Sequence, residues 1–339
     1  MKQSIPPQLK QCRQQIADII HAVRAEERRL KERFPLLRFQ NALSVAILLF
    51  ALSGMLWSAF LYVSGSVPAW LCIMSAALFA SLSHELEHDL IHQLYFRRQP
   101  VVYHTMMLLV WIMRPNTISP WARKKLHLRH HKLSGTQGDI EERLVGNGIA
   151  NPLLRLLVMF DGLLGLIAQR RILQREIPDY SFWQIMAAAF PLATLYFALW
   201  HTFLVLMLAE LLFVDAGLYA PWFTELRSLL IDVVVIIIAP NVLRSACLNI
   251  MTSYSHYYGG VNNLLQQTQI LKHWLFWPIQ LFCFNFGSTH GIHHFVVGQP
   301  FYLRQLVAPV AHRVMQRCGV RCNDFASFRR ANAYTPNIS

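Results

Sequence analysis

Charge is scarce in this chain: Asp, Glu, Lys and Arg make up 14% of its 339 residues, against 54% hydrophobic ones. Soluble globular domains carry about a quarter charged residues, so an ordinary soluble protein is excluded and an integral membrane protein is expected. A mean hydropathy of +0.32 agrees. Linkers rich in Pro, Gly or Ser, low-complexity stretches and internal repeats are all missing, which argues for one continuous unit. The six cysteines, Cys12, Cys72, Cys247, Cys283, Cys318 and Cys322, form neither a CxxC pair nor an even framework. That excludes a disulfide scaffold and a fused rubredoxin-like iron site, and Cys318 and Cys322 read as two reduced thiols near a basic tail. The opening MKQSIPPQLKQCRQQ lacks the apolar core of a secretory signal, so the N-terminus is expected to stay in the cytoplasm.

Acidic residues are the scarcer sign, 18 against 31 Lys and Arg, for a net charge of +13. In a soluble protein such an excess suggests nucleic acid. Here the basic residues sit between apolar runs, where they set topology and meet lipid headgroups, so no nucleic-acid partner is expected. A bilayer core takes about 20 apolar residues as helix. Four runs approach that length: Ala42–Val63; Val67–Leu82, which follows a Ser-Gly-Ser turn and continues into a His-rich segment; Phe182–Val214, with Pro191 as a kink; and Leu226–Cys247, with Asp232 at a headgroup boundary. Val101–Met113 is too short to span and is expected in the interface or packed under the soluble cap. The N-terminal arm, Arg97–Lys132, Arg170–Arg175 and the C-terminal tail are basic, whereas Ser64–Ser66 and Asp215–Glu225 hold no Lys or Arg. Both termini and the long middle loop are therefore expected in the cytoplasm. The predicted fold is an all-α integral membrane protein of about four transmembrane helices with a cytoplasmic helical cap. Its expected parts are an arm over 1–41, read as a solvated charged helix, a membrane domain over 42–304 and a basic tail over 305–339.

Ten of the 15 histidines fall into four tight groups. In SHELEHDLIHQLYF, His84, His88 and His92 lie at i, i+4 and i+8 and share one helix face. HLRHH contributes His127, His130 and His131, and HGIHH contributes His290, His293 and His294. In each HxxHH the first two imidazoles are one turn apart while the third points elsewhere, so one segment can serve two neighbouring metals. His256, in TSYSHYYGG, follows the last apolar run. The proposed topology brings all ten to the cytoplasmic ends of spans. A lone histidine is ordinarily a surface or satisfied core residue, and His21, His104, His201, His273 and His312 are read so. Ten imidazoles exceed the roughly four ligands one zinc takes, so two metals are implied. Nitrogen-rich sites suit iron but also accept zinc, copper or nickel.

These three boxes resemble the membrane fatty acid desaturase and hydroxylase superfamily, whose signature is HxxxH, HxxHH and HxxHH; the likeness runs from about Ala42 to Arg304. His88-Asp-Leu-Ile-His92 with its trailing QLYF resembles the first box of desaturases, and His84-Glu-Leu-Glu-His88 that of alkane-hydroxylase relatives. The two registers overlap, leaving either His84 or His92 as partner to His88. His256 resembles the family's extra histidine after the last span, and Asp139 the acid that commonly follows the second box. The resemblance implies a non-haem di-iron centre of two Fe ions that activates O2 and removes hydrogen from a fatty acid or acyl-lipid chain, with His88, His130 and His293 as catalytic residues. Fatty acid desaturation is the implied reaction, with hydroxylation of fatty acids or alkanes, or decarboxylation to a 1-alkene, as the rival. No HPGG of a fused cytochrome b5 is present, so an external ferredoxin, rubredoxin or cytochrome with its reductase is the expected electron donor, docking on a basic cytoplasmic surface. The expected compartment is a bacterial inner membrane.

Residues around the boxes carry expectations of their own. Glu85, Glu87 and Asp89 are candidates to accept the second N–H of the imidazoles, or else are solvated helix charges. Trp121 and Arg123 are candidates for an acyl headgroup or for interfacial anchoring. A membrane metal transporter or non-catalytic metal-binding protein would also be apolar and His-rich, but a transporter should hold polar ligands at the bilayer midplane, where His201 and Glu210 are the residues noted.

Overall fold

The computed structural model describes residues 6–212 and 221–334. Among these the regular structure is helical, and the β pairing is limited to the isolated bridges His256–Thr268 and Ile270–Cys322. It opens with α1 (Pro7–Arg33), α2 (Gln40–Val63), α3 (Ala69–Ile91), α4 (Pro100–Met113) and α5 (Pro120–Leu133). The middle holds α6 (Ile140–Leu144), α7 (Pro152–Phe160), α8 (Gly162–Glu176), α9 (Phe182–Ala189) and α10 (Leu192–Leu212). Then follow α11 (Pro221–Val233), α12 (Ala239–Ser255), α13 (Trp277–Leu281), α14 (Phe286–Phe295) and α15 (Phe301–Arg317).

Four described helical segments are long and apolar enough to cross a membrane: α2, α3, α10 and the continuous stretch Pro221–Ser255. The apolar runs of the sequence located each of them, with different ends. A tight turn joins α2 to α3, where Gly65 takes φ +71°, a conformation costly for a residue with a Cβ. Helix α3 runs past the apolar stretch to Ile91 without a break, so the first histidine box is the end of a span. The expected run Phe182–Val214 is two helices parted at Phe190–Pro191, since proline cannot donate to the preceding turn; Val214 lies outside the described residues, as do the first six residues of Asp215–Glu225.

The last span keeps going through Pro240 by means of a π-helical turn at Val234–Ile238. Asn241 donates to the Ile237 carbonyl at 3.0 Å and to the Met113 carbonyl at 3.3 Å, tying this turn to the end of α4. Such turns re-aim the side chains that follow, here Asn241 and Arg244.

Helix α3 lies centrally, against α2, α4, α5 and α12. The outer faces of α2 and α10 present Phe50, Leu56, Trp57, Leu195, Val205 and Leu208 outward, as a lipid-facing surface requires. The N-terminal arm differs from the solvated helix expected. Ile19 and Val23 of α1 are fully buried and join Ile292 and Phe295 of α14 and Val307 and Ala311 of α15 in one apolar cluster. Its charges face out while an apolar stripe covers the helix of the third box. The expected boundary at 304/305 falls inside α15, and Asn332, beyond it, donates to the His256 carbonyl at 3.0 Å.

Candidate metal centre

Each box reaches the site on a separate element. His88 is on the last turn of α3 and His92 caps it; α5 carries His127, His130 and His131; α14 carries His290, His293 and His294; His256 caps α12 in an extended conformation. Together they form two groups of four whose ligand-capable nitrogens lie within 4.8 Å of one another, His88, His92, His127 and His293 in one, and His130, His256, His290 and His294 in the other. Among the described residues these are the groups of this kind, and Cys318 and Cys322 belong to neither. Each HxxHH segment divides between the groups, as expected, but not along the expected line: the first two histidines, His127 and His130 or His290 and His293, part company, and His290 groups with His294, one turn on. His131 lies between them, its Nε2 2.9 Å from that of His293 and 3.2 Å from that of His127.

His84 is not brought into either group. Its Nδ1 faces Arg114 at 3.2 Å and Arg123 at 3.4 Å, and its ring meets Phe286, with centroids 6.0 Å apart. The His88 ring instead lies 4.3 Å from His293 and 4.7 Å from His127; its Nε2, like that of His84, is buried and unpartnered.

The donor set fits cations on hydrogen-bonding grounds. His127 Nδ1 donates to Glu141 at 2.9 Å, His130 Nδ1 to Asp139 at 2.8 Å, His256 Nδ1 to the Thr252 carbonyl at 2.8 Å and His294 Nδ1 to Gln267 Oε1 at 3.1 Å. A neutral imidazole that donates from Nδ1 carries a lone pair on Nε2. The Nε2 atoms of His256 and His294 nonetheless face each other at 3.1 Å, and those of His127 and His92 at 3.0 Å. Burial lowers the proton affinity of these rings, His92 and His131 to about 2 and His256 to about 3, with neighbouring imidazoles adding to the effect at all three. Unprotonated lone pairs converging in a dry site repel unless a cation lies among them.

His130 is the exception. Burial opposes its charged form, but the hydrogen bond and charge of Asp139, helped by Glu142 and Glu141, raise it to about 9. The field that favours a proton there also favours a metal ion. Buried Glu142 approaches His256 Nδ1 at 3.3 Å and is held by the Asn147 amide, and burial pushes its carboxyl up against the pull of His130. Asp139→Asn should therefore weaken metal retention by the His130 group about 10- to 100-fold, the range for losing a carboxylate behind a ligating histidine. Competition with a chelator, followed by metal analysis, measures this, and unchanged retention would refute the role.

The acids of the first box do different work from that expected. Glu85 and Asp89 both pair with Arg304, each at 3.1 Å, and Asp89 also accepts from Tyr95 at 2.7 Å and from the Phe301 N–H at 2.8 Å. Glu87 pairs with Arg114 and, at 3.3 Å, with Arg123. All three are buried, so they are not solvated helix charges; they clamp α3 to α15 and α5. Carboxylates behind the imidazoles come instead from the segment after the second box. Glu141 and Glu142 were not singled out in the sequence, although GDIEER is a conspicuous acidic patch in a basic stretch. Trp121 donates to His104 at 2.9 Å, and His201 pairs with Asp161 at 2.9 Å, so neither of these histidines is spare.

A cavity of about 230 Å³ opens beside the imidazoles. His88, His127, His130, His256 and His290 form one wall, and Tyr196, Phe197 and Trp200 of α10 and Leu248 of α12 form another. Space of this kind admits a slender apolar molecule to the donor atoms.

No curated protein is a significant match to the chain. The family model described as "Fatty acid desaturase" matches residues 64–326, from the turn before α3 to beyond α15, and takes in every histidine of both groups. The family is one of membrane oxidoreductases acting on fatty acyl chains, and this chain belongs to it.

Proposed function

We propose that the protein is a membrane di-iron oxidoreductase that uses O2 to desaturate a fatty acyl chain, with its centre and both termini on the cytoplasmic side. One observation carries the reading: two groups of four imidazoles, all buried but the half-buried His92, converge their lone pairs beside an apolar cavity that five of them line. His88, His92, His127 and His293 would hold one iron, and His130, His256, His290 and His294 the other, with His131 between them. This takes His88-Asp-Leu-Ile-His92 as the first box and leaves His84 out. Bound there, two iron ions would supply the activation of dioxygen and the removal of hydrogen from an unactivated C–H bond.

The chain's own residues bind and orient. Asp139 and Glu141 fix the tautomers of His130 and His127, Arg304 holds the histidine-bearing turn of α3, and Phe197, Trp200 and Leu248 exclude water from the cavity. An external ferredoxin-, rubredoxin- or cytochrome-type donor with its reductase supplies the electrons. Lys125 and Lys132, exposed on α5, suit an acidic partner. A transporter or a storage protein needs no apolar cavity at its ligands, which sets those alternatives behind.

Expression in a host of simple lipid content, with products identified by mass spectrometry under air and under nitrogen, tests the reaction. New double bonds that appear only with oxygen are expected. Hydroxylated chains or terminal alkenes would move the protein to its rival reactions, and no lipid change from a protein that retains two metals would end the proposal.

A further inference from the structure

The same cavity holds a second chemistry that the histidines do not use. Arg244 lies within the last span, in the run APNVLRSACLNI, and its residue is 1% exposed. An ionisable residue inside a span is costly and marks function more often than not. Its hydrogen-bond partners are both neutral amide oxygens, Asn116 Oδ1 at 3.0 Å from Nη2 and Asn241 Oδ1 at 3.4 Å from Nε. A guanidinium carries five N–H donors, so two neutral acceptors leave it under-satisfied, and no carboxylate of the described residues lies within ion-pair distance.

Other buried arginines are settled differently. Arg304 has Glu85 and Asp89, and Arg114 has Glu87. Arg155 has no carboxylate either, but it donates to the Phe328 carbonyl, Ser253 and Asn332 within 3.0 Å and lies 4.0 Å over the Phe328 ring. It faces no cavity. Arg244 does, and so does Arg123, which shares Glu87 with Arg114 and stands one helical turn before His127. Two guanidiniums, those of Arg123 and Arg244, thus line the cavity, with Arg114 behind them against His84; Glu87 pairs with Arg114 and Arg123, and Glu141 stands 4.0 Å from Arg123 and pairs with His127, which leaves Arg244 as the guanidinium without a carboxylate. Buried charge of one sign calls for a ligand of the other.

We infer that this end of the cavity binds the carboxylate of an unesterified fatty acid, held by Arg244 with Arg123 and Asn116, while its chain lies along the apolar wall past the imidazoles. The inference rests on the acyl-oxidation reading and narrows its substrate class: a free acid rather than an ester or thioester. A planar carboxylate matches the guanidinium fork. The aromatic wall of Phe197 and Trp200 takes the hydrocarbon. Anchoring by the head also means that the oxidised position is counted from the carboxyl carbon.

Binding to the purified metal-loaded protein in lipid nanodiscs, without electron donor, tests this with saturated fatty acids and their methyl esters as probes. Acids should bind at least tenfold more tightly than the esters, an advantage that Arg244→Gln should abolish and Arg244→Lys retain in part. Under turnover, acids of different length should be oxidised at a constant distance from the carboxyl group. Equal binding of acid and ester by the wild type overturns the inference, and this comparison stands even if Arg244→Gln fails to fold. Esters bound and oxidised as well as acids would leave acyl oxidation intact while removing the carboxylate anchor. If no acyl compound binds or reacts, the functional reading itself fails.

Discussion

His293→Ala is expected to empty one metal position and His290→Ala the other, each lowering turnover by more than about 100-fold. Losing even a carboxylate behind a ligating histidine typically costs 10- to 100-fold, and these are the donors themselves. His293 joins the group of His88, His92 and His127, whereas His290, with its Nε2 3.2 Å from that of His294, joins the group of His130 and His256. Metal per chain should therefore fall by one ion in each single variant and by two in the double. Turnover should fall no further in the double than in either single, because groups that act as a unit lose their function together. His84→Ala supplies the contrast: lying outside both groups, it should keep both ions. Elemental analysis beside product formation reads all four proteins. A His84 variant short of one metal would show that the first box is read in the other register, and a His293 variant with two would remove His293 from the donors.

Arg304→Met should be the most destabilising single change in the site, by about 3–5 kcal/mol, because it strands two buried carboxylates at once. Arg304 is 1% exposed and lies 3.1 Å from both Glu85 and Asp89, with its Nη atoms 3.4–3.5 Å from His88 Nδ1. It thereby joins α15 to the histidine-bearing turn of α3. Taking away one partner costs more than the pair contributes, since each remaining charge keeps its desolvation penalty without compensation. The triple change Arg304→Met, Glu85→Gln, Asp89→Asn should recover much of the loss. Thermal unfolding in nanodiscs would register a drop of several degrees for the single variant and a partial return for the triple. An Arg304→Met midpoint equal to that of the wild type would mean that solvent reaches these carboxylates.

The membrane spans were legible because hydrophobic length is a one-dimensional property. Runs of about 20 apolar residues mark α2, α3, α10 and the last span with no knowledge of what packs against them. Their ends were less legible. Helix α3 continues through polar His84–Asp89 because those residues find Arg304, Arg114 and Arg123 on other elements, which no local pattern announces. The π-helical turn before Arg244 likewise depends on Asn241 reaching across to α4. Arg244 was readable as a lone cation in an apolar run, but its meaning required the cavity beside it.

In the centre itself, spacing along the chain fixed how many metals to expect: each HxxHH offers imidazoles in two directions, and the structure divides each segment between two groups. Spacing could not choose between His84 and His92. Positions i, i+4 and i+8 of one helix face are locally equivalent, and what separates them is height along α3, where His84 meets two guanidiniums while His88 and His92 meet the imidazoles of α5 and α14. Of the carboxylates behind the rings, Asp139 was marked only by the family resemblance, and Glu141 and Glu142 were hidden for the same reason. Asp139, Glu141 and Glu142 reach the histidines by folding α6 back against α5, so their roles arise from a contact between helices and not from the residues at either end of it.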